Sequence, residues 1–270
     1  MTALDEERIF WERIVPDELT GTPQEHPVVV FVVGQPGDGK ALVSALVRGV
    51  LERRGQSVMI SAEHYRPYHP GFHALAGDDP AAGRNGVDGR RWMAMAVSYV
   101  VSRQLDALIE YEVGGLEELA GEFKAAGYQV EVAIVAVPEA VSRFGVLERH
   151  IRALEAYGYG RFADQVAVLR PDAHVIYRNQ RDSAGRWQQP AKTVDAINWE
   201  RDRPWTVLES RHFLEAVSAL EQTALAAPVP WIRREAVDGV KTVTQLAGTR
   251  LHPDAVTMHI ATAGVSNPQY

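Results

Sequence analysis

Short apolar runs alternate with amphipathic stretches along this chain, in an order that predicts strands followed by helices. The first run, VVVFVV at 28–33, is β-branched and lies between Pro27 and Gly34, which is typical of a strand buried on both faces. Further strands are predicted at 57–61, 106–111 and 129–137. Helical spacing predicts helices at 4–19, 40–54, 90–105, 116–127, 139–160 and 207–226.

Strands that alternate with helices indicate right-handed crossovers and a mostly parallel sheet. We therefore predict an α/β protein of three layers with a C-terminal α+β extension. The core, with its N-terminal helix, is expected to span 1–180, and the extension 181–270, packed on the core as one unit. After residue 160 the sequence is irregular until HVIYR at 174–178, and QRDSAGRWQQ at 180–189 offers hairpin-like turns. The tail beyond Pro228 shows no strong period.

Composition excludes several classes of function. Of the 270 residues, 46% are hydrophobic and 23% charged, which is ordinary for a globular protein. The net charge is −7 and the basic residues are scattered, so nucleic acid is not an expected partner. The absence of cysteine excludes disulfides and thiolate metal sites. No apolar run approaches the roughly 18 residues of a membrane span, so we expect a cytoplasmic protein without a membrane partner.

The turn after the first predicted strand, GQPGDGKA at 34–41, is nearly a phosphate-binding loop. Gly34, Gly39 and Lys40 fit the pattern G-x-x-x-x-G-K-[S/T], but Ala41 stands where a hydroxyl ordinarily holds magnesium. Backbone N–H groups and the helix dipole bind phosphates at such a turn, and the lysine adds a full positive charge. We expect a nucleotide site formed by Gly34, Gln35, Pro36, Gly37, Asp38, Gly39, Lys40 and Ala41.

Two carboxylates follow predicted strands, where ligands bind in open α/β sheets. Glu63 comes after the second strand in ISAEHYRPYHPGF, and Glu110 closes the third in DALIEYE. Each is either a site residue or a solvated charge at a loop end. In the same stretch Arg66 and His69 recur at three-residue spacing after Glu63, although a histidine before proline also shapes turns.

Two arginines follow the fourth predicted strand. Arg149 projects from nearly the opposite face of its helix to the apolar stripe of Leu147 and Ile151, and it reaches either a cleft or water. Arg161 lies in the glycine-rich stretch YGYGRF and is either a phosphate clamp or a surface charge.

Taken in order, these stretches resemble the zeta toxin family, P-loop kinases that phosphorylate a hydroxyl of UDP-N-acetylglucosamine. GQPGDGK resembles the family's loop, AEHYRPYHPGF its D-x-x-R-x-x-H-P segment, and LIEYE its strand ending in E-G-T. AAGYQVEVAIVAVPEAVSRFGVLERH and YGYGRF follow the family's pattern, with its two arginines at Arg149 and Arg161. The resemblance covers about residues 5 to 220 and implies a P-loop kinase-like fold.

The resemblance implies a role for each matched residue. Lys40 would bind the nucleotide phosphates, and Arg149 and Arg161 would clamp the transferring group. Glu63 falls at the family's catalytic aspartate, the general base. Glu110 would hold the sugar, and Arg66 and His69 belong to the substrate-binding segment. The resemblance also implies Mg²⁺ with ATP or GTP, a nucleotide-sugar substrate and an antitoxin protein as a candidate partner.

The sequence departs from the family's pattern at three places. The base is Glu63 rather than aspartate, the magnesium-binding hydroxyl is Ala41, and Tyr111-Glu112 replaces Gly-Thr. A base one methylene longer is expected to slow transfer, and the missing hydroxyl to weaken magnesium binding. Ser44 is a poor replacement, because three residues along a helix is roughly 4.5 Å along its axis. Tyr111 and Glu112 are expected to narrow the sugar pocket and make it more negative.

Three interpretations follow from the motifs and their departures. The first is a phosphotransferase of zeta toxin type, slowed by Ala41 and Glu63. The second is a degenerate protein that binds nucleotide without kinase activity, and the third is an unrelated antibiotic-modifying P-loop kinase.

Overall fold

The computed structural model describes residues 2–72, 87–111, 115–157, 193–226 and 230–265. They belong to two compact units. The first contains 2–35 and 39–135, and the second contains 36–38, 136–157 and the helices after residue 195. The predicted boundary at residue 180, the stretch HVIYR at 174–178 and Arg161 lie outside the described residues.

The first unit is built on a parallel sheet of four described strands, in the order β2-β3-β1-β4. The strands are β1 (Val28–Gly34), β2 (Val58–Ile60), β3 (Ala107–Tyr111) and β4 (Gln129–Val135). The register pairs Val32 of β1 with Glu110, and Gly34 with Val135. All seven residues of β1 are buried, as its β-branched run predicts for a central strand covered on both faces.

Helices cover both faces of this sheet. The chain begins with α1 (Ala3–Ile9), which continues as a π-helical segment, Phe10–Ile14, and a last turn, Val15–Glu18. The other helices of the unit are α2 (Lys40–Leu51), α3 (Ala62–Tyr65), α4 (Val87–Arg103) and α5 (Leu116–Ala125). One core cluster joins Phe31 of β1 to Trp92 of α4 and Phe123 of α5, and a smaller one joins Val30 and Val32 to Leu51 of α2.

A buried carboxylate fixes the starts of β1 and β3. Asp106 is 1% exposed and accepts hydrogen bonds from the Val28 backbone N–H and from Arg54 Nε, both at 2.7 Å. Its own carbonyl accepts from the Val58 N–H at 2.9 Å. Because three strands are held at their amino ends by one residue, their carboxyl ends are held in register at the opposite edge.

The described part of the second unit is helical. Its helices are α6 (Glu139–Tyr157), α7 (Thr193–Asp202), α8 (Val207–Ala226), α9 (Pro230–Ala247) and α10 (Pro253–Val265). Leu147 and Ile151 of α6 pack with Phe213 of α8 and Val240 of α9 in one buried cluster.

The predicted α/β class and parallel sheet are confirmed, and each helix predicted from spacing is present with shifts of a few residues at its ends. The statement that the tail beyond Pro228 has no strong period was wrong. In α9 the buried positions recur every three or four residues, at Ile232, Ala236, Val240, Val243 and Ala247. Two of these five residues are alanine, which makes the stripe less conspicuous than one of larger side chains.

Candidate functional site

The loop between β1 and α2 has the backbone geometry of a phosphate-binding turn. Gly34 ends β1, and Lys40 is the first residue of α2. Gly37 has φ +77° and Gly39, the residue that caps α2, has φ +86°. Side chains disfavour this left-handed region, so the turn requires glycine at both positions. The amino end of α2, with its N–H groups and the positive end of its helix dipole, faces the side of the loop at which an anion would bind.

Lys40 folds back across this loop. Its Nζ donates hydrogen bonds to the carbonyl oxygens of Gly34 and Gln35, each at 2.8 Å. Gln35 is fully buried, so the lysine spans from the end of the loop to its protected beginning. The positive charge predicted to meet phosphate is therefore held at the loop itself.

Ala41 is exposed on α2, and the nearest hydroxyl of that helix is already engaged. Ser44, 4% exposed, donates a hydrogen bond of 2.6 Å from its Oγ to Oε1 of Glu110 on β3. The side chain of Ser44 therefore orients the carboxylate that the sequence singled out. Sequence reasoning considered Ser44 only as a metal ligand and missed this contact.

The parallel sheet brings the predicted residues of the first unit to one edge. Gly34 is the last residue of β1, Glu110 is the last residue but one of β3, and Ser61 follows β2, so the three lie at the carboxyl ends of neighbouring strands. Lys40 comes six residues after Gly34, and Glu63 comes two residues after Ser61. This is the edge at which open α/β sheets bind ligands.

Glu63 is exposed in α3, a helix of one turn that begins directly after β2. The start of α4 packs closely against this turn. A Cβ on Gly89 would lie 2.4 Å from the Ala62 carbonyl oxygen and 3.3 Å from Cγ of Arg66. Only glycine permits that approach, which places α4 directly behind Glu63 and Arg66.

His69 has a local role in this structure. Its Nδ1 accepts a hydrogen bond of 3.1 Å from the Gly71 N–H, and its own N–H donates to the Arg66 carbonyl at 3.0 Å. Both contacts shape the turn before Pro70, as the alternative interpretation of a histidine before proline expects.

The end of α1 anchors the segment that carries Glu63. Glu18 accepts a hydrogen bond of 2.7 Å from the Tyr68 hydroxyl, and its other oxygen lies 2.7 Å from Nε2 of His64. Burial alone would raise the pKa of Glu18, but the hydrogen bonds from Tyr68 and His64 outweigh it and hold that pKa below its ordinary value. The carboxylate is therefore ionised at neutral pH and holds both side chains.

Tyr111 lies on the opposite face of the sheet from Glu110, because consecutive strand residues alternate. It is half-buried against the cluster that contains Phe31 and Trp92. Burial raises the pKa of its hydroxyl, so the ring stays neutral. Any narrowing of a sugar pocket by Tyr111 therefore acts from the α4 face, whereas Glu112 lies outside the described residues.

In the second unit, α6 contacts the middle of the loop at Pro36 and Gly37. The Oγ of Ser142 donates a hydrogen bond to the Pro36 carbonyl. A Cβ on Gly37 would lie 2.1 Å from the Ser142 carbonyl oxygen, and one on Gly145 would lie 2.4 Å from the Gly37 carbonyl oxygen. Arg149 is exposed one helical turn after Gly145.

Ser142 and Gly145 were not among the residues singled out from the sequence, although a signal was present. A glycine inside a helix lowers helix stability by about 1 kcal/mol relative to alanine. A close approach of another segment is one reason for a glycine at such a position. The sequence does not say which backbone approaches, because the two partners are more than 100 residues apart.

Two absences apply to the described residues. No three or more of their His, Asp and Glu side chains are grouped so as to hold a metal ion. None of their helices combines the length and the apolar character needed to cross a membrane.

Comparison with known proteins gives a family and a fold. The family model described as zeta toxin matches residues 15–181. The structure is similar to one from the PezAT chromosomal toxin-antitoxin system of Streptococcus pneumoniae, with a TM-score of 0.66 and 15% identity over 82% of this chain and 97% of that chain. A structure from Chloroflexus aurantiacus matches at a TM-score of 0.38 and 16% identity over 52% and 74% of the two chains, too weakly to carry an argument. Among curated proteins no match is found.

The Ser44 contact can be tested through stability. We expect Ser44→Ala to lower the free energy of unfolding by about 1–2 kcal/mol, because the lost bond to a carboxylate outweighs the roughly 0.5 kcal/mol that alanine gains in a helix. Urea denaturation measures the change. Ser98→Ala is the control, since Ser98 is exposed and bonds only to the Ala94 carbonyl of its own helix. Equal stability of the two variants would contradict the contact.

Proposed function

We propose that this chain, which belongs to the zeta toxin family, is an ATP- or GTP-dependent phosphotransferase that acts on a hydroxyl of UDP-N-acetylglucosamine or a related nucleotide sugar. The observation that carries the proposal is the loop of 34–41, where two glycines at positive φ lead into α2 and Lys40 lies across the turn. The family match covers the loop, both candidate carboxylates and both arginines.

Lys40 supports nucleotide binding in this scheme. Its Nζ bonds to the carbonyl oxygens of Gly34 and Gln35, which are neutral acceptors that an anionic phosphate can replace. The ammonium then neutralises β- and γ-phosphate charge, while the amide groups at the start of α2 bind phosphate oxygens.

Glu63 and Glu110 act on the acceptor. The Glu63 carboxylate takes the proton of the sugar hydroxyl, whose oxygen attacks the γ-phosphorus. The bond from that phosphorus to the bridging oxygen breaks, and the nucleoside diphosphate leaves. Glu110 binds a second sugar hydroxyl through the oxygen that Ser44 does not hold, since Ser44 donates to Oε1 alone.

The arginines complete the assignment on family grounds. Arg149 lies on the side of α6 that contacts the loop residue Gly37, four residues after Gly145. Arg161 lies outside the described residues, and its role as a second clamp comes from the resemblance alone. Both charges would act mainly on the transferring group, where negative charge is redistributed in the transition state.

Magnesium would be held at this site mainly by the bound nucleotide rather than by protein side chains. Position 41 offers no oxygen, and the Ser44 hydroxyl is bonded to Glu110. Mg²⁺ retains several waters and takes phosphate oxygens readily, so the nucleotide and water would supply most of its ligands. When bound, the ion would neutralise charge between the β- and γ-phosphates.

Two further proposals concern the protein's setting. An antitoxin is a candidate partner, because the similar structure comes from a toxin-antitoxin system. The rival function is a nucleotide-binding protein without transfer, which the exposed Ala41 and the longer Glu63 side chain favour. The family match speaks against an unrelated antibiotic-modifying kinase.

The first test is binding and transfer by a Lys40→Ala variant. We expect ATP or GTP to raise the melting temperature of the wild-type protein and to have no such effect on Lys40→Ala, because the loop loses its full positive charge. Mass spectrometry of UDP-N-acetylglucosamine incubated with nucleotide should detect phosphate transfer by wild type only. Lys124→Ala, an exposed lysine on α5, is the control.

The outcomes of this test separate the interpretations. Binding without transfer to any nucleotide sugar would support the rival function. An equal nucleotide effect in wild type and Lys40→Ala would refute the assignment of the loop.

The second test concerns the general base. Glu63→Gln preserves shape but removes the proton acceptor, so kcat should fall by about 10²–10⁴ with little change in nucleotide affinity. Steady-state transfer measures this loss, with the exposed Glu117→Gln on α5 as the control. Undiminished turnover in Glu63→Gln would assign the base to another group.

The third test restores the missing hydroxyl. Ala41→Thr should lower the magnesium concentration needed for half-maximal transfer and raise turnover, because the hydroxyl would provide a ligand at the start of α2. Magnesium titration of transfer measures both effects. Ala45→Thr places the same side chain one turn further along the exposed face of α2 and should change neither. If both variants behave like wild type, the ion is held without a ligand from position 41.

A further inference from the structure

We infer that α6 fixes the conformation of the phosphate-binding loop, with Ser142 and Gly145 as positioning residues for nucleotide binding. The inference rests on the proposed function only in taking the loop to be a phosphate site. It assigns a role to two residues that touch neither nucleotide nor sugar in the mechanism above.

The first observation is the closeness of two backbones. Gly37 lies so near α6 that a Cβ there would meet the Ser142 carbonyl oxygen at 2.1 Å and the Val146 nitrogen at 2.7 Å. A Cβ on Gly145 would meet the carbonyl oxygen, carbon and Cα of Gly37 at 2.4, 3.1 and 3.1 Å. Glycine at position 37 is therefore required by the α6 backbone at Ser142 and Val146, and glycine at position 145 is required by the backbone of Gly37.

The second observation is a hydrogen bond that sets the orientation of a peptide group. Ser142 is fully buried and its hydroxyl donates to the Pro36 carbonyl. The peptide between Pro36 and Gly37 is planar and trans, so its N–H points in the direction opposite to its carbonyl. With the carbonyl held toward α6, the Gly37 N–H points away from α6, into the loop, where a phosphate oxygen would accept it.

The third observation is that the face of α6 that contacts the loop also carries Arg149. Ser142, Gly145 and Arg149 are spaced i, i+3 and i+7, which places them on one side of a helix. The opposite side, at Leu147 and Ile151, is buried against α8 and α9. Because α6 is buried on one side and contacts Pro36 and Gly37 on the other, the same helix holds the middle of the loop and carries Arg149.

Glycine lowers helix propensity in the interior of a helix. Its presence at position 145 of α6 is explained by the close contact with Gly37. Gly49, inside α2, has nothing within 4 Å of its would-be Cβ and shows no comparable constraint. The close contact at Gly145 is therefore specific to this position and is not shared by every glycine inside a helix.

The experiment compares Gly145→Ala and Ser142→Ala with a matched control, Gly239→Ala. A Cβ on Gly239 would meet Leu147 at 2.6 Å, so that variant disturbs α6 from its α9 side without touching the loop. Nucleotide affinity for ATP and GTP, KM for the acceptor and hydrogen exchange at the amides of 35–41 are measured for each.

We expect Gly145→Ala to weaken nucleotide binding by about tenfold to a hundredfold, the scale on which displacements of about 1 Å act, with the acceptor KM unchanged. Ser142→Ala adds no atom and should weaken binding by a smaller factor, which provides a reading if Gly145→Ala folds poorly. Both should speed exchange at the loop amides. Gly239→Ala should lower the melting temperature yet leave the affinity and the loop exchange as in wild type.

Hydrogen exchange keeps this inference separate from the proposed function. If wild type binds no nucleotide, the proposed function fails. Faster exchange of the loop amides in Gly145→Ala and Ser142→Ala, but not in Gly239→Ala, would still support the inference that α6 fixes the loop. Loop exchange and affinity that respond equally to Gly239→Ala, or not at all in the three variants, would overturn the inference.

Discussion

A turn that only glycine can make joins the central strand to the helix after it, and the candidate site depends on that turn. Gly37 and Gly39 both hold positive φ, so the chain reverses within a few residues of Gly34 and enters α2 at Lys40. Because β1 is buried on both faces, the start of the turn cannot shift without moving the sheet. The position of the lysine and of the first helical amides is thereby set by the core.

The parallel sheet extends this constraint to Glu110, the second candidate residue of the site. Asp106 holds three strands at their amino ends, and their carboxyl ends consequently meet at one edge. Glu110 is the strand residue at that edge, and Ser44 ties it to α2 by a hydrogen bond of 2.6 Å. Helix α2 thus carries Lys40 at its first turn and orients Glu110 from its second, so one helix links the residue proposed to bind nucleotide to the residue proposed to bind the sugar.

Local patterns in the sequence were sufficient for the four strands of the sheet, the helices of the first unit other than the one-turn α3, the glycine loop and the carboxylates at the strand ends. Each of these is encoded within about ten consecutive residues by apolar period, glycine spacing or strand ends. Ser44 could not be connected to Glu110 in that way, since the two residues are 66 positions apart and no local rule pairs them. The same holds for Ser142, which is 106 positions from Pro36. Helix α9 was missed for a different reason, because alanine contributes little to an apolar period that is nonetheless regular.

The departures from the family's pattern concern the proposed transfer step and not the conformation of the loop. Ala41, Glu63 and Tyr111 replace groups that would hold the metal, take the proton or adjoin the sugar, whereas Gly37, Gly39, Lys40, Ser142 and Gly145 preserve the shape and charge of the loop. A side chain that supports only the transferring step can change without disturbing the fold, because it is exposed, as Ala41 and Glu63 are. Gly37 is instead held by backbone contacts at distances that admit no larger side chain, and Gly39 is constrained by its positive φ. Physical constraint is therefore strongest on the conformation of the loop and weakest on the exposed side chains around it, so under the proposed function nucleotide affinity would tolerate substitution less readily than the rate of transfer would.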